Sequence, residues 1–266
     1  MSVLWLRTAA ALYSCGLLYV LIYLFRKSTH LFRPALIAFG AGSVFHLVSI
    51  VELWAESGHL PLNNFYETSS FCAFLIALLF LVACTRYPVS IFGVCLFPVV
   101  FFMTMIGATE VPVAKWSSLQ IRDWWLYLHI AAVLIGYAAL IFSAVAALYY
   151  LLQERQLKRK EVAPRANRLP PLGTLDQIIT QSMNTGFVFF TIGTVTGVVW
   201  AFIEDGTGWI GNPQIGFFLF TWAFYLAMIF LRISAGWRGR RMAWLAVSVL
   251  CCSIVTWAAH VTLRSF

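Results

Sequence analysis

The sequence predicts an all-α membrane protein, a bundle of eight transmembrane helices. Its 266 residues are 61% hydrophobic and only 11% charged, whereas soluble proteins carry about 25% charged residues. Apolar stretches of roughly 20 residues, the length that crosses the bilayer core, recur along the whole chain. A transmembrane β-barrel is excluded because these stretches are continuously apolar and do not alternate with polar residues.

Eight apolar segments are predicted to cross the membrane within a single membrane domain, residues 1–266. The first segment is long for a signal peptide and contains Arg7, so it is expected to remain as a helix. The predicted spans are residues 3–25, 34–54, 68–85, 87–107, 124–152, 186–203, 215–231 and 242–261.

The basic residues predict the orientation of the bundle. With eight spans, alternate connections share a side, and one side holds 14 of the 18 Lys and Arg residues. Cytoplasmic loops are rich in Lys and Arg, so that side is predicted to be cytoplasmic and both termini to lie outside. No nucleic acid partner is expected despite the net charge of +8, because binding would require basic residues gathered on one water-exposed face.

The longest connection, residues 153–185, is predicted to be a cytoplasmic linker that acts as a hinge between five spans and three. The sequence Thr174-Leu175-Asp176-Gln177 matches a capping box and predicts the start of a short helix. Apolar residues recur there at helical spacing, so this helix is expected to lie in the membrane interface. The six cysteines all fall in apolar runs without a CxxC pair, which indicates small hydrophobic residues.

Four of the five histidines are predicted to share the outer side: His46, His59, His129 and His260. Neutral imidazoles that face one another across helices are suitable axial ligands for haem iron. Zinc is less well supported, because neither a thiolate nor an HExxH pattern accompanies them. For any single histidine the alternative is a hydrogen bond between helices.

Tryptophans also gather at the predicted outer interface, among them Trp125, Trp200 and Trp209. An aromatic belt explains such a distribution by itself, although flat aromatic surfaces near the histidines would also suit a porphyrin. The spacing of Gly193 and Gly197 allows close helix packing and is too common to indicate more.

The segment HLVSIVELWAESGHLPLNNFYE at residues 46–67 resembles the cytochrome c assembly family, which includes the CcsA, ResC and HemX types and is related to the CcmC proteins. In that family a membrane histidine precedes a GHxPxxNxYE motif at this spacing. Two further segments are similar: WLYLH at residues 125–129 with Tyr137, and GWRGRR at residues 236–241. The resemblance covers the chain from about His46 to the C-terminus.

The resemblance implies binding of haem b and its passage toward cytochrome c maturation on the outer face. It matches His46 to an intramembrane haem ligand and His129 to the first of two external histidines that flank a tryptophan-rich loop. His260 is, by its position, the candidate for the second external histidine. Like His46 and His129, it is expected to ligate the haem iron. The other expected haem contacts are His59, Trp125, Trp200, Trp209 and Trp222.

The outer loop, residues 204–214, departs from the family's WWD domain, which reads approximately W-A-x4-G-x2-W-x-W-D-P-K-E-x-W with a later T-W. The spacing of the pattern from Trp200 to Trp222 is kept. Its second tryptophan, aspartate, lysine, glutamate and last tryptophan are replaced in this sequence. Phe230 stands where full-length synthases carry a second intramembrane histidine. These departures resemble the HemX branch.

The expected function is haem handling in cytochrome c biogenesis, in a bacterial cytoplasmic membrane. Haem would be bound near the outer face and delivered, with an assembly partner protein, toward an apocytochrome c, without a bond made by side chains of this chain. The first alternative is a HemX-like regulatory or scaffold protein linked to haem synthesis. The second is a b-type electron-transfer subunit, with His129 and His260 as paired ligands.

Overall fold

A computed structural model describes residues 1–26, 32–58, 60–62, 64–109, 120–159, 169–208 and 213–263. Within the helices, the structure describes the backbone but not the side chains of some terminal residues, namely 24, 26, 120–123, 204–205, 213–214 and 257–263. Regular structure in the described residues is entirely helical. The helices are α1 (Ser2–Arg26), α2 (Phe32–Ser57), α3 (Phe65–Arg86), α4 (Gly93–Gly107, after a 3-10 turn at Ser90–Phe92), α5 (Gln120–Lys158), α6 (Leu172–Asp205), α7 (Pro213–Ser234) and α8 (Arg240–Leu263).

The eight-helix fold predicted from the sequence is confirmed, since each predicted span contains a helix; the fourth helix is shorter than predicted and begins at Gly93. Among the described residues, seven helical segments are long and apolar enough to cross a membrane. The side chains of α8 are described only as far as Thr256, but at 24 residues α8 has a similar length. Large apolar side chains point outward, among them Ile37 and Ile233 at 72% and 78% exposure, as expected when the surrounding solvent is lipid. The placement of both termini outside the membrane stays a prediction.

The chain divides into two compact units, Met1–Ser117 with α1–α4 and Ser118–Phe266 with α5–α8. The division between compact units thus falls between α4 and α5 and not at the connection 153–185, where the sequence predicts a hinge. The reason is that α5 and α6, on either side of that connection, pack along each other and belong to one unit.

In the first unit, α1 and α2 run antiparallel. Ser49 Oγ donates a 2.7 Å hydrogen bond to Ser2 O at one end, and the rings of Tyr23 and Phe32 meet at the other. Three fully buried phenylalanines form the centre of the unit. Phe39 stacks on Phe97 with ring centroids 4.0 Å apart, while Phe80 meets both rings edge-on. Aromatic packing thus joins α2, α3 and α4.

In the second unit, α5 and α6 form a long antiparallel hairpin. Ser143 Oγ donates to Ile179 O near one end. Glycines allow the close approach of the two backbones: a Cβ on Gly193 would lie 2.6 Å from Val133 Cγ2. Helix α7 is fixed to α6 by a buried hydrogen bond from Tyr225 OH to Met183 O, 2.9 Å long.

Helix α6 begins earlier than predicted and is continuous. The segment predicted to be a separate interfacial helix forms its first turns, because nothing interrupts the helix between Leu172 and Asp205. The predicted capping box lies inside the helix, whose first residue follows Pro171. Its aspartate, Asp176, instead accepts two hydrogen bonds from Arg232 and one from the Gly239 backbone N–H. We call these three residues the Asp176 clamp.

Candidate functional site

The predicted site residues are distributed over both units. His46 belongs to the first unit and His129 to the second. Trp125, Trp200 and Trp222 are described in the second unit. His59, Trp209 and the side chain of His260 lie outside the described residues.

His129 is held between α5 and α6. Its Nδ1 lies 2.7 Å from Gly193 O, and because a carbonyl oxygen only accepts, Nδ1 carries the proton. The ring packs against Gly197, where a Cβ would lie 2.5 Å from Cε1 and 2.8 Å from Nδ1. Only glycine at position 197 leaves room for the imidazole in this orientation.

This tautomer leaves a lone pair on Nε2 of His129. No hydrogen bond to that atom is formed by the part of the chain that the structure describes. An imidazole that donates through Nδ1 to a backbone carbonyl and offers Nε2 outward is the arrangement commonly found for histidine ligands of metals. The Phe218 ring of α7 lies 6.4 Å away by centroids and adds an apolar side to the site.

Two tryptophans near His129 are fixed by their indole N–H groups. Trp125, one turn before His129 on α5, donates to Thr196 O at 2.8 Å. Trp222 on α7 donates to Thr191 Oγ1 at 3.1 Å and stacks on Phe187. Both indoles therefore have defined orientations, and both residues are partly exposed.

Trp200 differs from these two tryptophans. Its Nε1 is buried and has no hydrogen-bond partner among the described residues. An unpaired buried donor destabilises the folded state by on the order of 1–3 kcal/mol unless it forms a hydrogen bond with an acceptor. Trp200 lies three residues after Gly197 on α6, so this donor belongs to the part of α6 against which His129 packs.

His46 has very different surroundings. It is fully buried, and both ring nitrogens face protein groups: Nε2 lies 2.8 Å from Ser70 Oγ on α3, and Nδ1 lies 3.4 Å from Tyr13 OH on α1. The Phe74 ring meets the imidazole edge-on at 5.6 Å. As arranged, His46 offers no free lone pair to an iron atom.

Metal binding by several side chains together is not indicated in the described residues, where no group of three or more His, Cys, Asp or Glu lies close enough to hold an ion. Among the described side chains of the second unit, the donor set is a single imidazole, that of His129, flanked by aromatic rings. Such a set suits a macrocycle that brings its own equatorial nitrogens and requires only axial ligation.

Sequence reasoning missed the residues that position His129. The spacing of Gly193 and Gly197 indicates only close helix packing, yet one supplies the carbonyl and the other the space for the ring. Thr196 and Phe218 carried no sequence signal. The relevant signal was the coincidence of a small-residue motif on one helix with a membrane histidine on the helix before it.

The fold and this site define a polytopic integral membrane protein with a histidine held between helices by a backbone carbonyl and a glycine. A family model described as Cytochrome C assembly protein matches residues 62–260, about three quarters of the chain. The chain belongs to the cytochrome c assembly family. The matched region begins after His46 and includes His129.

Individual relatives agree with this assignment. A cytochrome c biogenesis protein CcsA of Prochlorococcus marinus (strain MIT 9515) is 29% identical over 229 residues, covering 77% of this chain and 73% of the relative. The CcsA protein of Chlamydomonas reinhardtii is 27% identical over 217 residues, covering 79% and 60%. That of Guillardia theta is 28% identical over 214 residues, covering 73% and 70%. The protein is thus similar to membrane proteins of cytochrome c biogenesis.

Proposed function

We propose that this protein binds haem at the outer side of a bacterial cytoplasmic membrane and delivers it for cytochrome c maturation. The observation that carries the proposal is the state of His129, whose ring is oriented by Gly193 and Gly197 and whose Nε2 lone pair has no partner among the described residues. Membership of the cytochrome c assembly family supports the same conclusion.

The residues around His129 have complementary tasks. The hydrogen bond to Gly193 O fixes the imidazole tautomer and increases the basicity of Nε2. Bound haem would supply an iron atom that takes this lone pair. Its propionates would accept hydrogen bonds from N–H groups of the protein. The unpaired Trp200 Nε1 is the donor we assign to a propionate, and Trp125 and Trp222 offer oriented aromatic faces.

Delivery requires a recipient. We propose a partner protein of cytochrome c assembly and, through it, an apocytochrome c. The outer location follows from the predicted orientation, in which the basic connections face the cytoplasm and the ends of α5 and α6 near Trp125 and Trp200 face outward. His260 on α8 stays the proposed second external ligand.

The test is the haem content of the purified protein after expression with ample haem. His129→Ala should lose most of its bound haem during purification, since loss of an axial ligand worth more than 1.4 kcal/mol weakens the binding constant by at least about tenfold. Ser143→Ala is the matched control, because it also removes an α5–α6 hydrogen bond but lies away from the site. Equal haem content in both variants would contradict the proposal.

The HemX-like scaffold function remains the second candidate. The replacements in the outer loop favour it, since the loop lacks most polar and aromatic residues of the WWD pattern. A folded wild-type protein that takes up no haem from membranes rich in haem would support the scaffold function and contradict haem delivery.

A further inference from the structure

The hydrogen bonds around His46 form a chain whose direction can be worked out. Ser43 Oγ has one hydrogen, which it donates to Phe39 O at 3.0 Å, so Ser43 Oγ accepts from Tyr13 OH at 3.2 Å. The Tyr13 oxygen is then the acceptor for His46 Nδ1–H. The remaining His46 nitrogen, Nε2, accepts from Ser70 Oγ. In this assignment every proton has an acceptor.

The lone pair of His46 Nε2 is therefore already used. Metal–imidazole bonds, such as those of zinc, are about 2.0–2.1 Å long, and Ser70 Oγ lies 2.8 Å from Nε2. An iron atom with its macrocycle would need the space that Ser70 and α3 occupy. His129 has the same Nδ1–H tautomer but no such partner in the described structure.

Neither partner of His46 has room to move away. Ser70 lies against α4 so closely that a Cβ on Gly107 would be 2.7 Å from Ser70 Cβ. The Tyr13 ring is pressed against α2, where a Cβ on Gly42 would be 2.9 Å from two ring carbons. Both partners are buried. Opening the network would thus separate α3 from α4 or α1 from α2, against the close packing that the glycines permit.

We infer that His46 in this protein is the centre of a hydrogen-bonded network that joins α1, α2 and α3, and that it does not ligate iron. The first unit then has a structural histidine at the position where the family resemblance predicts a haem ligand. Phe230, 63% exposed on α7, stands where the resemblance places the second intramembrane histidine. Among the described side chains, the haem contacts that the proposed function requires then belong to the second unit.

The comparison with His129 rests on the proposed function, whereas the network does not, so the experiment measures both haem content and stability. His46→Gln retains one donor and one acceptor, and His46→Ala retains neither. We expect both to keep wild-type haem content per folded protein. The Tm in mild detergent should fall by several degrees for His46→Ala and by clearly less for His46→Gln. His129→Gln, the matched control, should lose haem, and with all proteins compared in the haem-free state its Tm should fall less than that of His46→Ala.

A loss of haem in His46→Gln with an unchanged Tm would overturn the inference. Histidine ¹⁵N spectra give a readout that does not depend on haem. We expect His46 as the Nδ1–H tautomer, with an Nε2 signal that shifts in Ser70→Ala while the His129 signals do not. If the wild type binds no haem, the proposed function fails. The network is then judged by the Tm series and this spectrum alone, and an Nε2–H tautomer of His46 would reject it.

Discussion

At the scale of single residues, two histidines of the same type and tautomer have opposite chemistry because their surroundings differ. His46 donates and accepts within the protein, whereas His129 donates to Gly193 O and keeps a lone pair without a described partner. The sequence predicted both as ligands. It could not separate them, because the partners of His46 lie 24 and 33 residues away on other helices.

Gly197→Ala tests the space that His129 requires. The new methyl group would lie 2.5 Å from the imidazole, so the ring must turn away or the helices must separate, at a cost of about 1–3 kcal/mol. We expect reduced haem content and a lower free energy of unfolding, measured by spectroscopy and denaturant titration.

The control for Gly197→Ala is Gly173→Ala on the same helix, where nothing lies within 4 Å of the added Cβ. Alanine is a better helix former than glycine by about 1 kcal/mol, so this variant should be as stable as the wild type or slightly more stable. If Gly197→Ala behaves like Gly173→Ala in both measurements, His129 is not packed as described.

At the scale of helices, the Asp176 clamp joins the start of α6, the end of α7 and the turn before α8. The Arg232 guanidinium pairs with both carboxylate oxygens of Asp176 at 3.2 and 3.3 Å, a bidentate geometry that is stronger than single contacts. The Gly239 N–H adds a 2.9 Å bond, and its left-handed φ of 63° favours glycine. The clamp explains why α6 begins so early.

Asp176→Asn should lower the free energy of unfolding by about 1–3 kcal/mol, because charge-assisted hydrogen bonds are lost while Arg232 remains only partly exposed. Lys158→Ala, which breaks the exposed pair between Lys158 and Glu154, should cost at most about 0.5 kcal/mol. Denaturant titrations of both variants in detergent check this order, and a larger loss for Lys158→Ala would refute the assigned role of the clamp.

The sequence located all eight helices because each needs one long apolar run, a local property. It missed the division between α4 and α5, because that depends on which helices pack together. It also missed the continuity of α6, since Asp176 is committed to Arg232, 56 residues away, and not to a cap. Contacts between distant residues decide these features, and no local pattern records them.

At the scale of the whole molecule, orientation decides on which side haem would be bound. Fourteen of the 18 basic residues are predicted on the cytoplasmic side. The antiparallel pairs described in each unit are what an alternating topology requires: α1 with α2 in the first, and α5 with α6 and α6 with α7 in the second. The integral membrane character and the family are established by the helices and the family match.

Cysteine labelling in intact cells tests this orientation. In a chain whose six cysteines are replaced, Thr207→Cys after α6 should react with a membrane-impermeant thiol reagent, and Ala163→Cys between α5 and α6 should react only after lysis. The reverse pattern would place the His129 end of the second unit in the cytoplasm and contradict delivery on the outer face.

The most direct test of the central claim is imidazole rescue of the purified His129→Ala variant. The substitution should leave a space against Gly197 that a free imidazole molecule can enter. We predict that haem added together with imidazole restores the reduced haem absorption band that the variant lacks and that haem alone does not restore, while Ser143→Ala has the band from the start. A wild type without the band, or a His129→Ala variant that retains it without imidazole, would contradict the account.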